Sequence, residues 1–245
     1  MKRPAPMGLL LRLRPFNESD LLLDFFSDQH GRLTALAKGA RRSKRRFMGL
    51  LLSAHLLALE LKPVKKSDLW VLESAQLLSN YLGLSQDYQR WLASGPILEM
   101  LLKGTAYSQP APELLYLALL TLKRIERSHN SLERRTALLI FINRFLKEVG
   151  FALYLARCLK CGLEQFPAGL SLQGGVICCQ CLPGQNPVSR GLINSLLAGQ
   201  TLAMDGLSRL SFTQNALNEG LPFVSAFARQ ILGNDLLSLD FIEHA

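Results

Sequence analysis

The sequence predicts an α+β protein of two domains. A small five-stranded barrel over residues 1–78 is followed by a mainly helical domain over residues 79–245, which carries a metal-binding module at about 155–185. The hydrophobic pattern changes from a period of two to a helical period near residue 77, and the five cysteines cluster in the second domain. The chain has 245 residues, 49% hydrophobic and 19% charged, so it can build a sizeable core and falls outside the disordered class.

Five short segments separated by turn residues predict the strands of the barrel. In the first two segments the side chains alternate between two faces, which is typical of half-buried strands. These segments are rich in leucine, which favours helices intrinsically, but the short spacing between Gly, Pro and Asn favours strands. The predicted strands are residues 9–14, 21–26, 32–38, 50–61 and 69–76.

Helical periodicity dominates the second domain. Pro112 suits a first helical turn, Ser131 is a candidate N-cap, and Gly150 suits a helix end. The last two segments are predicted to form a closing pair. The predicted helices are residues 114–121, 132–149, 189–198, 213–218 and 223–232.

The positive charge is concentrated in the first third of the chain. The whole chain has 28 Lys and Arg against 19 Asp and Glu, a formal charge of +9. Residues 1–80 carry 14 against 7, whereas residues 81–245 carry 14 against 12. Such an imbalance creates a positive field, for which a polyanion is the natural partner.

A basic segment between two apolar stretches accounts for most of this excess, and no acidic residue occurs between Asp28 and Glu60. A solvated loop is the alternative, and a nuclear-localisation signal also fits the residue types. The lack of acidic partners favours a polyanion-binding role. The candidate binding residues are Arg32, Lys38, Arg41, Arg42, Lys44, Arg45 and Arg46, with Arg32 secondary.

The cysteines form two pairs with metal-ligand spacing. Two residues separate Cys158 from Cys161 and Cys178 from Cys181, and 16 residues lie between the pairs. This spacing lets a tight turn present two sulfurs to one ion, and four thiolates suit structural Zn²⁺. Cys179 leaves an alternative pairing with Cys181 open. The metal would replace an apolar core that this segment lacks.

Other cysteine chemistries fit less well. An odd count in a protein without a visible export signal disfavours disulfides, and a redox-active pair lacks the expected βαβ surroundings. Catalytic zinc needs an open coordination position, which four thiolates do not leave. The sequence therefore predicts one structural zinc ion.

Few other residues indicate chemistry or membrane insertion. The longest strongly apolar stretch, residues 47–59, is shorter than the roughly 18 residues that a spanning helix needs, so we expect a cytoplasmic protein. No phosphate-binding loop or nucleophile motif occurs, which predicts a protein that is not an enzyme. His55, Trp70, Trp91 and the phenylalanines are predicted to pack in cores, and Glu18 and Asp20 to satisfy backbone donors in a turn.

Several motifs, in this order along nearly the whole chain, resemble the RecO family of bacterial DNA recombination and repair mediators. The N-terminal ones are Arg14-Pro-Phe-Asn-Glu18-Ser-Asp20, His30-Gly31-Arg32, Ala37-Lys38-Gly39-Ala40-Arg41-Arg42-Ser43-Lys44 and Glu73-Ser-Ala. The later ones are Gly150, Cys158-x-x-Cys161-Gly162, Gly174-Gly175-x-x-Cys178-x-x-Cys181 and residues 226–242.

The resemblance implies an N-terminal OB-fold, a helical domain with a zinc module, and a place in the RecFOR pathway of the bacterial nucleoid. Family members bind single- and double-stranded DNA, anneal complementary strands and, with RecR, help RecA to replace single-strand-binding protein. This chain departs from the family in extending its basic run to Arg45 and Arg46 and in lacking a basic residue near its tail. An RNA-binding zinc-ribbon protein, such as a ribosome or tRNA factor, and a non-catalytic interaction adaptor are the alternatives.

Overall fold

The first five strands form a closed barrel. The computed structural model describes residues 4–43, 45–164, 166–184 and 186–244. In the barrel, β1 pairs with β2, β2 with β3, β3 with β5, β5 with β4, and β4 with β1. The β3–β5 pair is parallel and the others are antiparallel. The strands are β1 Met7–Pro15, β2 Leu21–Ser27, β3 Gly31–Ala37, β4 Leu56–Pro63 and β5 Leu69–Ser79.

The alternating pattern of the strands separates the barrel interior from its outer face. In β3 each odd-numbered residue from Gly31 to Ala37 is buried and the residues between them are half-buried. Phe25 and Leu33 are fully buried in the barrel core, together with residues of all five strands. The fold class predicted from the sequence, an OB-like barrel followed by a helical domain, is therefore confirmed.

The predicted strand 50–61 is wrong in its first half. β4 begins only at Leu56, and residues 47–55 form turns, with Gly49 and Ala54 in the left-handed backbone region. Phe47 and Leu51 from this segment join the barrel core. The apolar residues here close the barrel as a loop, which is why a hydrophobic run resembled a strand.

The helical domain contains six α-helices and a second small sheet within the described residues. Two 3-10 segments, Met204–Arg209 and Leu237–His244, complete it. The helices are α1 Leu82–Ser85, α2 Tyr88–Gly104, α3 Pro112–Glu126, α4 Ser131–Glu148, α5 Arg190–Thr201 and α6 Gln214–Leu232. The sheet pairs β6 Ala168–Ser171 with β7 Gly175–Cys178.

Three helix predictions need correction. The N-cap of α4 is Asn130, whose side chain accepts from the Glu133 N–H, rather than Ser131. The predicted closing pair is one helix, α6, which continues through Pro222. Helix α5 continues past Gly199, because this glycine lies against the Asn143 side chain and packs within the domain.

The core of the helical domain is built on α4. Nearly all its residues from Thr136 to Leu146 are buried, and the Phe141 and Phe145 rings lie 5.7 Å apart. Helices α3, α5 and α6 pack around it. In the described parts of the chain, no helix is both long and apolar enough to cross a membrane.

The barrel and the helical domain share one apolar interface. Leu9, Leu11 and Phe26 of the barrel belong to the same buried cluster as residues of the helices. At the β2–β3 turn, a Cβ atom on Gly31 would lie 1.9 Å from the Gln109 carbonyl oxygen, so only glycine fits there. This end of the barrel is fixed against the α2–α3 connection.

The C-terminal segment closes the helical domain by packing on α2. The Glu99 carboxylate of α2 accepts hydrogen bonds from the backbone N–H groups of Leu237 and Ser238, at 3.3 and 2.8 Å. Lys103 lies 3.0 Å from Glu99 and 2.8 Å from Asp235. We call this arrangement the Glu99 clasp.

Candidate metal centre and basic surface

The four predicted metal ligands meet at one point. The sulfurs of Cys158, Cys161, Cys178 and Cys181 all lie within 4.8 Å of one another. Each pair sits on a tight turn: the Gly162 N–H donates to the Cys158 carbonyl oxygen at 2.9 Å, and the Cys181 N–H donates to that of Cys178 at 3.0 Å. The β6–β7 hairpin brings the two turns together.

The geometry fits a tetrahedral ion. Four sulfurs about 2.3 Å from a zinc ion would lie about 3.8 Å from one another. The Cys161 and Cys178 sulfurs are 3.8 Å apart. Cys179, whose N–H donates to the Pro167 carbonyl oxygen, is not among the four clustered residues. The second turn therefore uses the same spacing as the first, and the four cysteines could hold one metal ion.

Backbone donors favour the thiolate form of Cys158. Hydrogen bonds from the backbone of Cys161 and then of Cys178 lower the pKa of the Cys158 thiol to about 6. Without a metal, hydrogen bonds among the thiols, first with Cys178, raise the pKa of Cys181 to about 12. Since a metal binds the thiolate, the backbone prepares one ligand, and an ion would have to displace the proton of the other.

The module is tied to the helical domain mainly through its backbone. The Tyr154 N–H donates to the Gly174 carbonyl oxygen at 2.8 Å, and the Val176 N–H donates back to that of Tyr154 at 3.1 Å. A Cβ atom on Gly175 would lie 2.3 Å from the Tyr154 oxygen. The hairpin thus adds a short bridge beside β7, which positions the cysteine cluster against the domain.

The basic segment lies against the β1–β2 turn. The Gly39 N–H donates to Asp20 Oδ1 at 2.7 Å, and the Arg41 N–H donates to the Ser19 carbonyl oxygen at 2.9 Å. The Gly39 hydrogen bond, followed by those of Ser19 and Asn17, holds the pKa of Asp20 below its ordinary value of 3.8. The prediction that Asp20 satisfies backbone donors is therefore confirmed. The backbone of the basic segment is fixed here at two points.

The side chains of this segment extend into solvent. Lys38, Arg41, Arg42, Arg45 and Arg46 are all exposed, and Lys44 lies outside the described residues. Arg41 donates to the Asn17 carbonyl oxygen at 3.0 Å, and Arg42 pairs with exposed Glu18 at 3.3 Å. Glu18 thus binds a side chain in the structure, whereas we had predicted a backbone partner.

Arg46 is the most constrained of these arginines. Its guanidinium lies 4.4 Å from the centroid of the Phe47 ring and donates to the Lys38 carbonyl oxygen. The buried Phe47 anchors the segment in the barrel core. The basic segment is therefore a folded surface rather than a free tail.

Arg32 lies elsewhere, at the junction with the helical domain. Its guanidinium stacks 3.9 Å from the Tyr107 ring centroid and donates to the Leu102 carbonyl oxygen. It is half-buried. The structure does not bring Arg32 together with the other predicted binding residues, and its role in binding stays a prediction.

The aromatic residues are more varied than predicted. Trp70 packs on the barrel core and lies 4.7 Å from the His30 ring, and His55 is buried and hydrogen-bonded to the Leu50 carbonyl oxygen at 2.9 Å. Trp91 is exposed, and Phe16 on the β1–β2 turn has 56% of its surface exposed. The position of Phe16 between Pro15 and Asn17, at a turn, was the available signal.

Two family models together match nearly all of the chain. The model described as Recombination protein O N terminal matches residues 1–81, and the one described as Recombination protein O C terminal matches residues 85–240. The chain belongs to the RecO family. The family resemblance seen in the sequence motifs is therefore confirmed.

Curated relatives agree with this RecO membership. A protein of Syntrophus aciditrophicus is 29% identical over 245 residues, covering 96% of this chain and 93% of the relative. A protein of Syntrophobacter fumaroxidans is 28% identical and covers 100% and 99% of the two chains. One of Acetivibrio thermocellus is 26% identical and covers 96% and 94%. All three carry the name DNA repair protein RecO.

Proposed function

We propose that this RecO-family chain is a non-catalytic mediator of DNA recombination and repair that binds single- and double-stranded DNA through its phosphates. The observation that carries the proposal is the basic segment, with exposed arginines on a backbone fixed against the β1–β2 turn. An OB barrel commonly uses its loops and outer face for oligonucleotides. Lys38, Arg41, Arg42, Lys44, Arg45 and Arg46 contact phosphates in this proposal, whereas Arg32 holds the barrel to the helical domain.

Binding of this kind does not depend on base sequence. Arginines that neutralise phosphates release counterions, so affinity falls steeply with salt. A segment that is already folded loses less conformational entropy when it binds than a free tail would. Glu18 beside Arg42 is the nearest competing anion, and exposed pairs of this type are weak.

Strand annealing follows from the same charge. Two complementary strands repel each other, and a cationic surface that holds both lowers this repulsion without making or breaking a covalent bond. In the proposed function the chain anneals strands and, with RecR, helps RecA to replace single-strand-binding protein. The names of the relatives support the DNA-repair context.

Zn²⁺ is the proposed occupant of the cysteine cluster. Four thiolates in a tetrahedral arrangement suit zinc and leave no open position for catalysis. The ion holds the two turns and the hairpin together, and the reaction does not pass through it. Its role in this proposal is structural.

The electrostatic part is tested by replacing Arg41, Arg42, Lys44 and Arg45 together with alanine. If about five phosphates are contacted, log K for single-stranded DNA falls with log salt at a slope of about −3.5. In the variant we expect weaker binding to every sequence and a slope of about −0.7, measured by fluorescence anisotropy from low to moderate salt.

A matched control removes the same charge from the helical domain. Arg127, Arg157, Arg190 and Arg209 are exposed, and their joint replacement with alanine leaves the basic segment intact. The slope of this control should equal that of the parent. A parent slope near zero, or equal losses in both variants, would contradict phosphate binding by the basic segment.

The mediator role is tested by annealing complementary strands coated with single-strand-binding protein, with and without RecR. We expect annealing by the parent and loss of annealing in the basic-segment variant. Parallel assays with RNA strands separate the proposal from an RNA-binding function. Equal or better activity on RNA, or full activity in the variant, would overturn it.

A further inference from the structure

The outer face of β1 carries a row of two arginines that leads to an exposed phenylalanine. Arg12 and Arg14 are exposed residues of β1, and Phe16 follows directly after the strand. Alternate residues of a strand lie on the same face, about 6.6 Å apart for each two-residue step. The row runs along the outside of the barrel to the turn against which the basic segment lies.

One buried carboxylate orders both arginines. Asp24 on β2 is 1% exposed, and its Oδ2 atom accepts from Arg12 Nε at 2.9 Å and from Arg14 Nη2 at 3.4 Å. Its other oxygen accepts from the Thr34 hydroxyl at 2.7 Å. One negative charge faces two positive ones, so a net positive charge remains on side chains that are about half-exposed.

The turn that carries Phe16 is held by its own hydrogen bonds. Asn17 Oδ1 accepts from the Ser19 and Asp20 N–H groups at 3.1 and 2.9 Å, and the Phe16 N–H donates to the Asp20 carbonyl oxygen at 3.2 Å. Arg41 of the basic segment donates to the carbonyl oxygen of the adjacent Asn17. A large aromatic ring is thus presented to solvent beside fixed cationic groups, where the barrel core gives it no cover.

We propose that Phe16 stacks on an unpaired base while Arg12 and Arg14 bind the neighbouring phosphates, so that this row makes the surface prefer single-stranded over double-stranded DNA. The inference rests on the proposed function, to which it adds the source of strand preference. Every base has a π-face, so stacking on an aromatic side chain tolerates any sequence. In a duplex those faces are covered by neighbouring base pairs, and only the phosphate contacts remain available.

The test of stacking is Phe16→Ala in the full chain. We expect affinity for a mixed-sequence single strand to fall by roughly 5- to 100-fold, the range for the loss of one stacked base, with affinity for the matching duplex unchanged. Phe16→Trp should retain single-strand affinity, and its added indole fluorescence should be quenched by single strands more than the parent's fluorescence is. Because Phe16 is exposed, the thermal midpoint should stay at the parent value.

Phe151→Ala is the matched control. Phe151 is 46% exposed and follows α4 in the helical domain, far along the chain from β1. This variant should bind both DNA forms like the parent. Equal loss of single-strand and duplex affinity in Phe16→Ala, or no loss in either, would overturn the stacking role.

The phosphate contacts are tested separately with Arg14→Ala. Arg12 remains as the partner of Asp24, at the shorter of the two distances, so the buried carboxylate stays paired. We expect the slope of log K against log salt for single strands to become less negative by about 0.7, the value for one phosphate. Arg157→Ala, which removes one exposed charge from the helical domain, should leave the slope unchanged.

The two levels of proposal fail in different ways. If the parent shows no salt-dependent DNA binding, the proposed function itself is wrong. If the basic-segment variant loses binding while Phe16→Ala and Arg14→Ala match the parent on both DNA forms, the DNA-binding function stands and the β1 row is not part of the interface.

Discussion

The barrel and the cysteine module are both small, but they are stabilised by different means. Among the described residues, the buried apolar cluster inside the barrel has eleven members, including Phe25, Phe47 and Leu57. The corresponding cluster of the module has four, Cys158, Ala168, Ile177 and Cys178, two of which belong to the proposed metal site. The barrel rests on apolar burial, whereas the module depends on its sulfurs.

This difference separates stability from function in the chain. The barrel can leave its basic side chains and Phe16 in solvent because its interior is complete without them. In the module the functional groups are themselves the core, so losing one of them removes structure. Substitutions in the two regions should therefore affect different measurements.

Cys178→Ser should have the largest effect. It removes one of four metal ligands, and structural zinc in small modules contributes about 10–16 kcal/mol of apparent binding free energy. We expect loss of bound zinc, measured by atomic absorption on the purified protein. We also expect loss of amide-exchange protection over residues 155–185, with barrel protection kept.

Cys179→Ser is the natural control, because Cys179 neighbours the cluster without belonging to it. It should keep one zinc per chain. Zinc-free parent protein, or a Cys178→Ser variant that protects the module as well as the parent, would contradict dependence on the metal.

Phe25→Ala tests the other side of the comparison. Phe25 is fully buried in the barrel core, and removing a buried phenylalanine costs about 3–5 kcal/mol. We expect reduced resistance of the barrel to urea, followed by amide exchange of β1–β5, with the zinc content unchanged. Simultaneous loss of zinc would mean that the two regions unfold as one unit, against the comparison made above.

Asp20→Asn should have the smallest effect and sharpens the account of the basic segment. The pKa of Asp20 is lowered, chiefly by the Gly39 N–H, so its charged form stabilises the fold. This contribution is present above the ordinary pKa of 3.8 and is lost as pH falls through the lowered value. The thermal midpoint of the parent should exceed that of the variant at neutral pH, and the gap should narrow below about pH 4. A gap independent of pH would assign the effect to geometry alone.

The sequence was sufficient where chemistry fixes the spacing. Two cysteine pairs with tight turns define a metal site almost regardless of the surrounding fold, and period-two alternation with frequent turn residues located β2 and β3 well. The basic segment was also visible as charge, although its attachment to Asp20 and Ser19 depends on contacts between distant residues.

Elements with a weak local signal were missed or misplaced. Helix α2 contains Pro96 and two glycines, so its pattern does not distinguish it, and it is set by packing against the barrel and the C-terminal segment. Arg32 looked like one more basic residue, whereas its neighbour Tyr107 lies in another domain. The exposure of Phe16 follows from the barrel surface around it, which no local pattern records.

The Glu99 clasp sets an order of events during synthesis. Ser238 is 139 positions beyond Glu99, so α2 meets its packing partner only after the rest of the helical domain has been translated. All five barrel strands, in contrast, lie within Met7–Ser79 and can pair as soon as that stretch has left the ribosome. At about 5–20 residues per second, the barrel has on the order of 8–32 seconds to close before the clasp can form.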